Sequence, residues 1–346
     1  MPELRIDPLT GLRVIIAGER ATRPGAFASK IGERTPIDPE QDPFLEGHED
    51  RTPPEVWALR PAGGKPDTPG WTVRAVPNLY PALQPELAEG GEQLAGGSQL
   101  AEEQDPLASG RGMPSLFVAR PAVGAHEVII NTPRPVGSLV ELGPDGLAIA
   151  MDAWRARMRA HDGSVYVHLI VNEGVEAGAS LPHTHAQMYA LAFVPALIAR
   201  ERERFTAYNE RTQGRNLLGD VLQEEVRLRE RIVAIDDEAV VICPFASRSP
   251  YELMLIPRSP RPRFEDDGPL GAALLHNALS RLQRALGGMP PLNAWVRTAP
   301  SGAGQFCWHV DVLPRLAHLA GLEMGTGVFL NIVPPEIAAA TLRDAT

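Results

Sequence analysis

An α+β fold is expected for this chain, and three observations predict it. Short β-branched runs come in pairs separated by single helical stretches, without the regular strand–helix–strand alternation of a doubly wound sheet. Within the helical stretches, apolar residues recur at spacings of three and four. The chain also repeats itself once. Ala125-His126-Glu127-Val128-Ile129-Ile130-Asn131-Thr132-Pro133-Arg134-Pro135 resembles Pro250-Tyr251-Glu252-Leu253-Met254-Leu255-Ile256-Pro257-Arg258, and each is followed by a helix, a β-like run and a histidine-centred strand. Glu127 precedes His183 by 56 residues and Glu252 precedes His309 by 57. On that spacing His183-Thr184-His185-Ala186-Gln187 matches His309-Val310-Asp311-Val312-Leu313, a reactive copy beside a scaffolding one.

In chain order, the first 65 residues are rich in proline and polar residues, with a strand-like run at Val14-Ile15-Ile16. Arg60 to Gly70 reads as irregular. Pro85 to Pro114 has no periodicity and is expected to be a long mobile loop between two strand-like segments. Val128-Ile129-Ile130 reads as a strand, and Leu147, Met151, Trp154 and Met158 then share one helical face. Val165 to Val171 reads as a strand, residues 215–232 as a helix, Val240-Val241-Ile242 as a strand and residues 269–286 as a helix.

Composition narrows the function. The 33 basic residues against 43 acidic ones give a net charge of −10, which argues against a nucleic-acid or anionic-membrane surface. Apolar residues make up 44% and charged ones 22%, as in an ordinary soluble protein. With no apolar run long enough for a membrane helix and no apolar leader, a cytoplasmic location is expected. Two cysteines, Cys243 and Cys307, allow neither a disulfide framework nor a thiolate cage. Lys30 and Lys65 are the only lysines, and no glycine-rich phosphate loop ends in Lys-Ser/Thr.

His183, His185 and Gln187 fall at strand spacing and so project from one face. An imidazole can attack phosphorus and leave again, splitting a transfer into two steps. An amide at position 187 can donate to a phosphoryl oxygen without acting as an acid, which favours a long-lived covalent intermediate. A zinc site or a structural histidine pair is the alternative reading of these residues. The preceding Asn172-Glu173-Gly174-Val175-Glu176-Ala177-Gly178-Ala179-Ser180 allows a tight loop whose backbone N–H groups can face an anion, with Asn172 and Ser180 as side-chain donors at its ends. Before that strand it reads as a phosphate cradle rather than a plain turn.

Asn172-Glu173-Gly174 through Gly178-Ala179-Ser180-Leu181-Pro182-His183-Thr184-His185-Ala186-Gln187 resembles the signature of the galactose-1-phosphate uridylyltransferase family, within the histidine-triad superfamily. Further segments extend the resemblance: Arg5 to Gly11, Glu19 to Pro24, Trp71 to Leu83, Trp308 to Leu316 and Gly321 to Gly327. It implies two histidine-triad-like repeats forming a half-open antiparallel sheet with packed helices. Residues 1–195 would be the catalytic repeat and 196–346 the second, non-catalytic one. His185 would be the nucleophile on the α-phosphorus of a nucleotide sugar, with Gln187, Ser180 and the Gly178 loop at phosphoryl oxygens and His183 beside it. Asn78 and Asn172 would contact the nucleotide, Glu323 would belong to the substrate site, and Arg20 and Arg23 would reach phosphate across a homodimer interface.

The departures from the family are equally specific. Family members commonly hold zinc through Cys-Pro-x-Cys, a downstream histidine and the first histidine of the triad. Here the matching positions are Asp42-Pro43-Phe44-Leu45, Pro135 and His183, and one histidine cannot make a four-coordinate site. No zinc is expected. A second family metal site corresponds to Glu201, Arg297, His309 and Asp311, where a cation at 297 opposes a metal, so an ion-pair cluster is expected. The hexose-contacting segment reads Gly325-Thr326-Gly327 without a lysine. The expected activity is exchange of a nucleoside monophosphate between nucleotide sugar and sugar 1-phosphate, first as UDP-glucose:hexose-1-phosphate uridylyltransferase. An ADP-sugar phosphorylase of the same family and a catalytically slow nucleotide sensor are the alternatives.

Overall fold

The computed structural model describes residues 1–22, 31, 34–85, 117 and 119–345. Arg23 and residues 86–116 of the expected mobile loop lie outside the described residues.

The main body is one ten-stranded antiparallel sheet. Its strands are β3 (Trp57–Leu59), β4 (Val73–Pro77), β5 (Gly124–Ile130), β6 (Tyr166–Glu173), β7 (His185–Leu191), β8 (Ile232–Ile235), β9 (Ala239–Ile242), β10 (Leu253–Pro257), β11 (Leu292–Arg297) and β12 (His309–Pro314). In space they run β3-β4-β5-β7-β6-β11-β12-β10-β9-β8. Each half is therefore three strands, a helix and two strands, and the second half reverses the order of the first. The halves join where β6 pairs with β11, from Glu173 opposite Leu292 to Ile170 opposite Trp295.

The crossover helices α1 (Gly143–Arg159) and α4 (Ala272–Leu286) pack side by side on one face. Leu147, Met151, Trp154 and Met158 are the buried stripe of α1, as their spacing requires. Each fully buried side chain of this size contributes roughly 1.5–3 kcal/mol of burial. Trp154 Nε1 also donates to Asn131 Oδ1 at 2.9 Å, tying the helix to the end of β5. The helix expected over 215–232 is shorter, α3 (Leu217–Leu228). Asn216 Oδ1 caps it by accepting from the Gly219 N–H, and Arg229 at φ 58° turns the chain out of it. Preceding it is α2 (Ala196–Arg211), which sequence periodicity did not reveal.

The opposite face is covered differently in the two halves. Over the second half lie α2, α3 and Leu9, around Phe205, Met254 and Phe306. Over the first half lie Phe44 and Trp71, against Val76, Val128 and Ile130. A small sheet, β1 (Glu3–Ile6), β2 (Arg13–Ile16) and β13 (Val328–Asn331), joins both ends of the chain and packs its Val14 and Ile16 on Ala246 of the second half. The short α5 (Gly321–Thr326) precedes β13, and α6 (Pro335–Asp344) closes the described chain. No helix is long and apolar enough to cross a membrane among the described residues.

The internal repeat is present, but its register differs from the string match. Gln187 pairs with Val128 on one side and Ile170 on the other. In the second half Asp311 takes that place, between Met254 and Trp295. His185 therefore corresponds to His309, Gln187 to Asp311, and His183 to Cys307. The identical-looking glutamates are out of phase. Glu127 faces the helices, bound by Arg157 at 2.7 Å, whereas Glu252 is bound by Arg248 in the Asp311 cluster on the opposite face. Strand parity, not letter identity, sets which copy matches which.

Candidate active site

β7 starts at His185, directly after the turn that carries His183 and Thr184. His185 is 4% exposed and its Nδ1–H donates to the main-chain oxygen of His183 at 2.8 Å. That bond fixes the tautomer and leaves the Nε2 lone pair without a hydrogen-bond partner among the described residues. Burial holds the His185 imidazolium below its ordinary range, and the neighbouring His183 ring adds to the effect. A neutral, oriented imidazole with one free nitrogen is a nucleophile.

His183 does not share that exposure. Its Nδ1 lies 2.6 Å from Asp42 Oδ2 and its Nε2 lies 2.9 Å from the Thr132 carbonyl. Both ring nitrogens face oxygens, the Asp42 carboxylate opposite Nδ1 and the Thr132 carbonyl opposite Nε2. Burial raises the Asp42 carboxyl, but the hydrogen bonds from His183 and the Phe44 N–H outweigh it and hold the group below its usual range. The part of His183 that touches His185 is its carbonyl. Phe44 packs edge-on against both rings, 5.2 Å from His185 and 6.1 Å from His183.

A zinc ion of the kind the family resemblance implies does not fit this donor set. Pro135 offers no side-chain donor. Asp42 Oδ2 and His183 Nδ1 stand 2.6 Å apart, a hydrogen-bond distance. Two ligands of one tetrahedral zinc, each about 2.0 Å away, would be roughly 3.3 Å apart.

Of the expected phosphate and nucleotide residues, Asn78 follows β4, Asn172 lies near the end of β6, Gly178 and Ser180 lie in the loop after it, and Gln187 lies on β7 two residues from His185. Gln187 Oε1 accepts from His126 Nε2 at 3.1 Å and from Tyr189 Oη at 3.0 Å. Asn172 Oδ1 accepts from Asn293 Nδ2 at 2.8 Å, and the same Asn293 nitrogen donates to the Ala177 carbonyl at 2.8 Å. Asn78 Oδ1 accepts from the Tyr80 N–H at 2.8 Å. In all three amides the oxygen is taken internally; Gln187 and Asn172 present their NH2 outward, whereas the Asn78 NH2 lies 3.1 Å from His126 Nε2. Gly178 at φ 85° closes the 3-10 turn before Ser180, a conformation that favours glycine. A β-carbon on Gly174 would meet Pro291 at 2.9 Å, which keeps the loop close to the second half. Glu173 anchors the loop base, its Oε1 accepting from the Leu139 N–H at 2.6 Å. Burial pushes the Glu173 carboxyl up to about 7 against the pull of Arg34. Ser180 is exposed on the wall of a cleft of about 700 Å³ between residues 34–37 and 174–182, which reaches neither His185 nor Gln187.

Two expected residues sit apart from this group. Arg20 is exposed on the turn after β2, and Glu323 caps α5 by accepting from the Ala320 N–H at 2.9 Å. Both belong to the region of the small sheet, on the second half. His126, Tyr189, Asn293 and Asp42 were not singled out as site residues. The period-two spacing of His126 with Val128 and Ile130 was the available signal for the first.

In the second half, Glu201, Arg297, His309 and Asp311 do come together. His309 repeats the His185 geometry, its Nδ1–H donating to the Cys307 carbonyl at 3.1 Å. Its Nε2, however, faces Glu201 Oε1 at 3.5 Å. Asp311 Oδ2 lies 3.4 Å from Arg297 Nε and 3.4 Å from Arg248 Nη2, and Arg248 also binds Glu252. Two guanidinium groups inside the cluster oppose a divalent metal there.

The chain is similar to known proteins along its whole length. Residues 1–195 match the model of the galactose-1-phosphate uridyl transferase N-terminal domain, and residues 145–345 match a domain of unknown function. ADP-glucose phosphorylase of Arabidopsis thaliana is 29% identical over 360 aligned positions, covering 100% of this chain and 93% of that protein. Its crystal structure with bound ADP-glucose superposes with a TM-score of 0.77 at 27% identity, covering 100% of both chains. Galactose-1-phosphate uridylyltransferase of Thermotoga maritima is 27% identical, covering 81% of this chain and 96% of that protein. The model match spans more than half of the chain and contains His185, Gln187 and the donor loop, and the chain therefore belongs to the galactose-1-phosphate uridyl transferase family of nucleotidyltransferase enzymes.

Proposed function

We propose that the chain moves a nucleoside monophosphate from a nucleotide sugar to an acceptor phosphate through a covalent intermediate on His185 Nε2. The observation that carries this reading is the free Nε2 of a buried, tautomer-fixed imidazole beside outward-facing amide donors. Nε2 attacks the α-phosphorus, the bond to the bridging oxygen breaks, and sugar 1-phosphate leaves with the electron pair. The Nδ1 proton stays on the ring, and the His183 carbonyl stabilises the positive charge formed there. An oxygen of the acceptor phosphate then attacks phosphorus and returns the N–P electrons to Nε2. Gln187 and Asn172 donate to the non-bridging oxygens, where charge builds in the transition state. No step is routed through a metal, since neither family metal position offers a fitting donor set.

In this reading residues 1–195 form the reacting repeat and 196–346 the supporting one. Arg20 and Arg23 would reach phosphate from the partner in a homodimer, and Glu323 would belong to the substrate site. UDP-glucose with a hexose 1-phosphate acceptor is the donor and acceptor pair that the sequence resemblance favours. A second reading, phosphorolysis of an ADP-sugar, is supported by the full-length similarity to the Arabidopsis thaliana ADP-glucose phosphorylase.

Intact-mass spectrometry after incubation with UDP-glucose, UDP-galactose, ADP-glucose or GDP-mannose tests both. A gain of one nucleoside monophosphate, absent from His185→Ala, is the expected result, and its mass names the base. Nucleotide binding without an adduct from any donor would point instead to a slow nucleotide sensor.

A further inference from the structure

We propose that His126 is a positioning residue that holds the Gln187 amide in its donating orientation; the proposal rests on the reading of His185 as nucleophile. His126 lies on β5 directly opposite Tyr189 and on the same face as Gln187. The Ala82 N–H donates to His126 Nδ1 at 3.1 Å. A backbone N–H can only donate, so Nδ1 is unprotonated and the neutral ring carries its proton on Nε2. That Nε2 lies 3.1 Å from Asn78 Nδ2, which cannot accept a proton, and 3.1 Å from Gln187 Oε1, which can, so the Nε2–H goes to Gln187, while Tyr189 Oη–H donates to the same oxygen at 3.0 Å. Were the amide turned over, its NH2 would meet the His126 Nε2–H, which can only donate, and the Tyr189 hydroxyl would have to turn to accept. The pair therefore dictates that Gln187 presents NH2, not oxygen, to the side of the strand that His185 shares. Stacking of the His126 and Tyr189 rings, at 4.1 Å between centroids and 23° between planes, fixes the direction of Nε2.

The same ring also anchors the turn around Asn78. The Asn78 N–H donates to the His126 carbonyl at 2.8 Å, and Ala82 is held through Nδ1. Loop anchoring and amide orientation are thus two roles on opposite edges of one imidazole, and two substitutions separate them. Asparagine at 126 can keep an acceptor near Nδ1 for Ala82 but does not reach Gln187. Glutamine can place an NH2 near Nε2 but leaves Ala82 without its acceptor. Phenylalanine keeps the stack and loses both.

The test is single-turnover labelling of the full chain, followed by intact mass, with UDP-glucose or ADP-glucose, whichever labels the wild type. At saturating donor, His126→Phe and His126→Asn are expected to form the adduct about 10–100-fold more slowly, the usual range for loss of an orienting partner. His126→Gln is expected to stay within about threefold of wild type, and half-saturation by donor should change little in any of them. Wild-type rates in His126→Asn with a slow His126→Gln would overturn the proposal in favour of loop anchoring. Wild-type rates in His126→Phe would overturn it outright. If His126→Phe does not fold, Tyr189→Phe removes the second donor without touching the turn. It should slow labelling in the same direction, and an unchanged rate there would count equally against the proposal. Labelling of the wild type by neither sugar would overturn the nucleotidyl-histidine reading itself, and this proposal with it.

Discussion

His185 and His309 stand at matching places in the two halves of one sheet, each donating through Nδ1 to the carbonyl two residues before it. Beyond that bond their surroundings diverge. In the first half the cover is Phe44 and the Asp42–His183 pair, and Nε2 of His185 is left open. In the second half α2 lays Glu201 over the ring, 3.5 Å from Nε2, and Asp311 occupies the position of Gln187 among two arginines. The backbone supplies the same tautomer twice. What covers the strand decides whether the imidazole keeps an open nitrogen or joins a charge cluster.

The largest effect should break the symmetry outright. His185→Ala is expected to lower nucleotide exchange by at least about 10³-fold, as loss of a covalent nucleophile does. His309→Ala should leave adduct formation close to wild type while lowering the thermal midpoint. Comparable loss of exchange in both variants would show that the second cluster takes part in the reaction.

The contact between Asp42 and His183 sharpens the comparison at the level of stability. Asp42→Ala removes the oxygen that faces His183 Nδ1, in a ring 1% exposed, and leaves a buried polar nitrogen without a partner, a change that costs about 1–3 kcal/mol. A urea titration would read it directly. A loss below about 1 kcal/mol would mean that the pair is open to water, as surface pairs are.

The smallest effect is in pH dependence. Burial and the nearby His183 ring depress the His185 value below the ordinary 6.5, so adduct formation should stay level as pH falls through 6.5 and decline only below it. For stability the sign is the same. The contribution from neutral His185 is present above 6.5 and lost as pH falls through the lower folded value. The Asp42 pair behaves likewise in a more acid window, present above its unfolded value of about 3.8 and lost below it. An acid limb of adduct formation centred at or above 6.5 would contradict the burial argument.

Much of this site was legible from residue order. His185-x-Gln187 at strand spacing, the glycine loop before it and the stripe Leu147, Met151, Trp154 and Met158 are local patterns, and each lies where its period requires. Helix α2 escaped because its buried stripe is Ile198, Glu201 and Phe205, with a carboxylate where an apolar residue would mark the face. The two copies were aligned one residue out of phase at β5 and β10, because Glu127 and Glu252 match as letters while facing opposite sides of the sheet.

By itself the sequence marked His185 and Gln187 as the candidate reacting pair, placed the two crossover helices and several of the strands, and showed that the chain is built twice. These are properties of neighbours along the chain, set by a period of two or 3.6 residues. The tertiary structure decided that Asp42 meets His183 across 141 positions, that His126 reaches Gln187 across 61, and that Glu201 closes over His309. Such contacts depend on strand register and on which segment covers which face. Both are set by the packing of whole elements rather than by any local pattern.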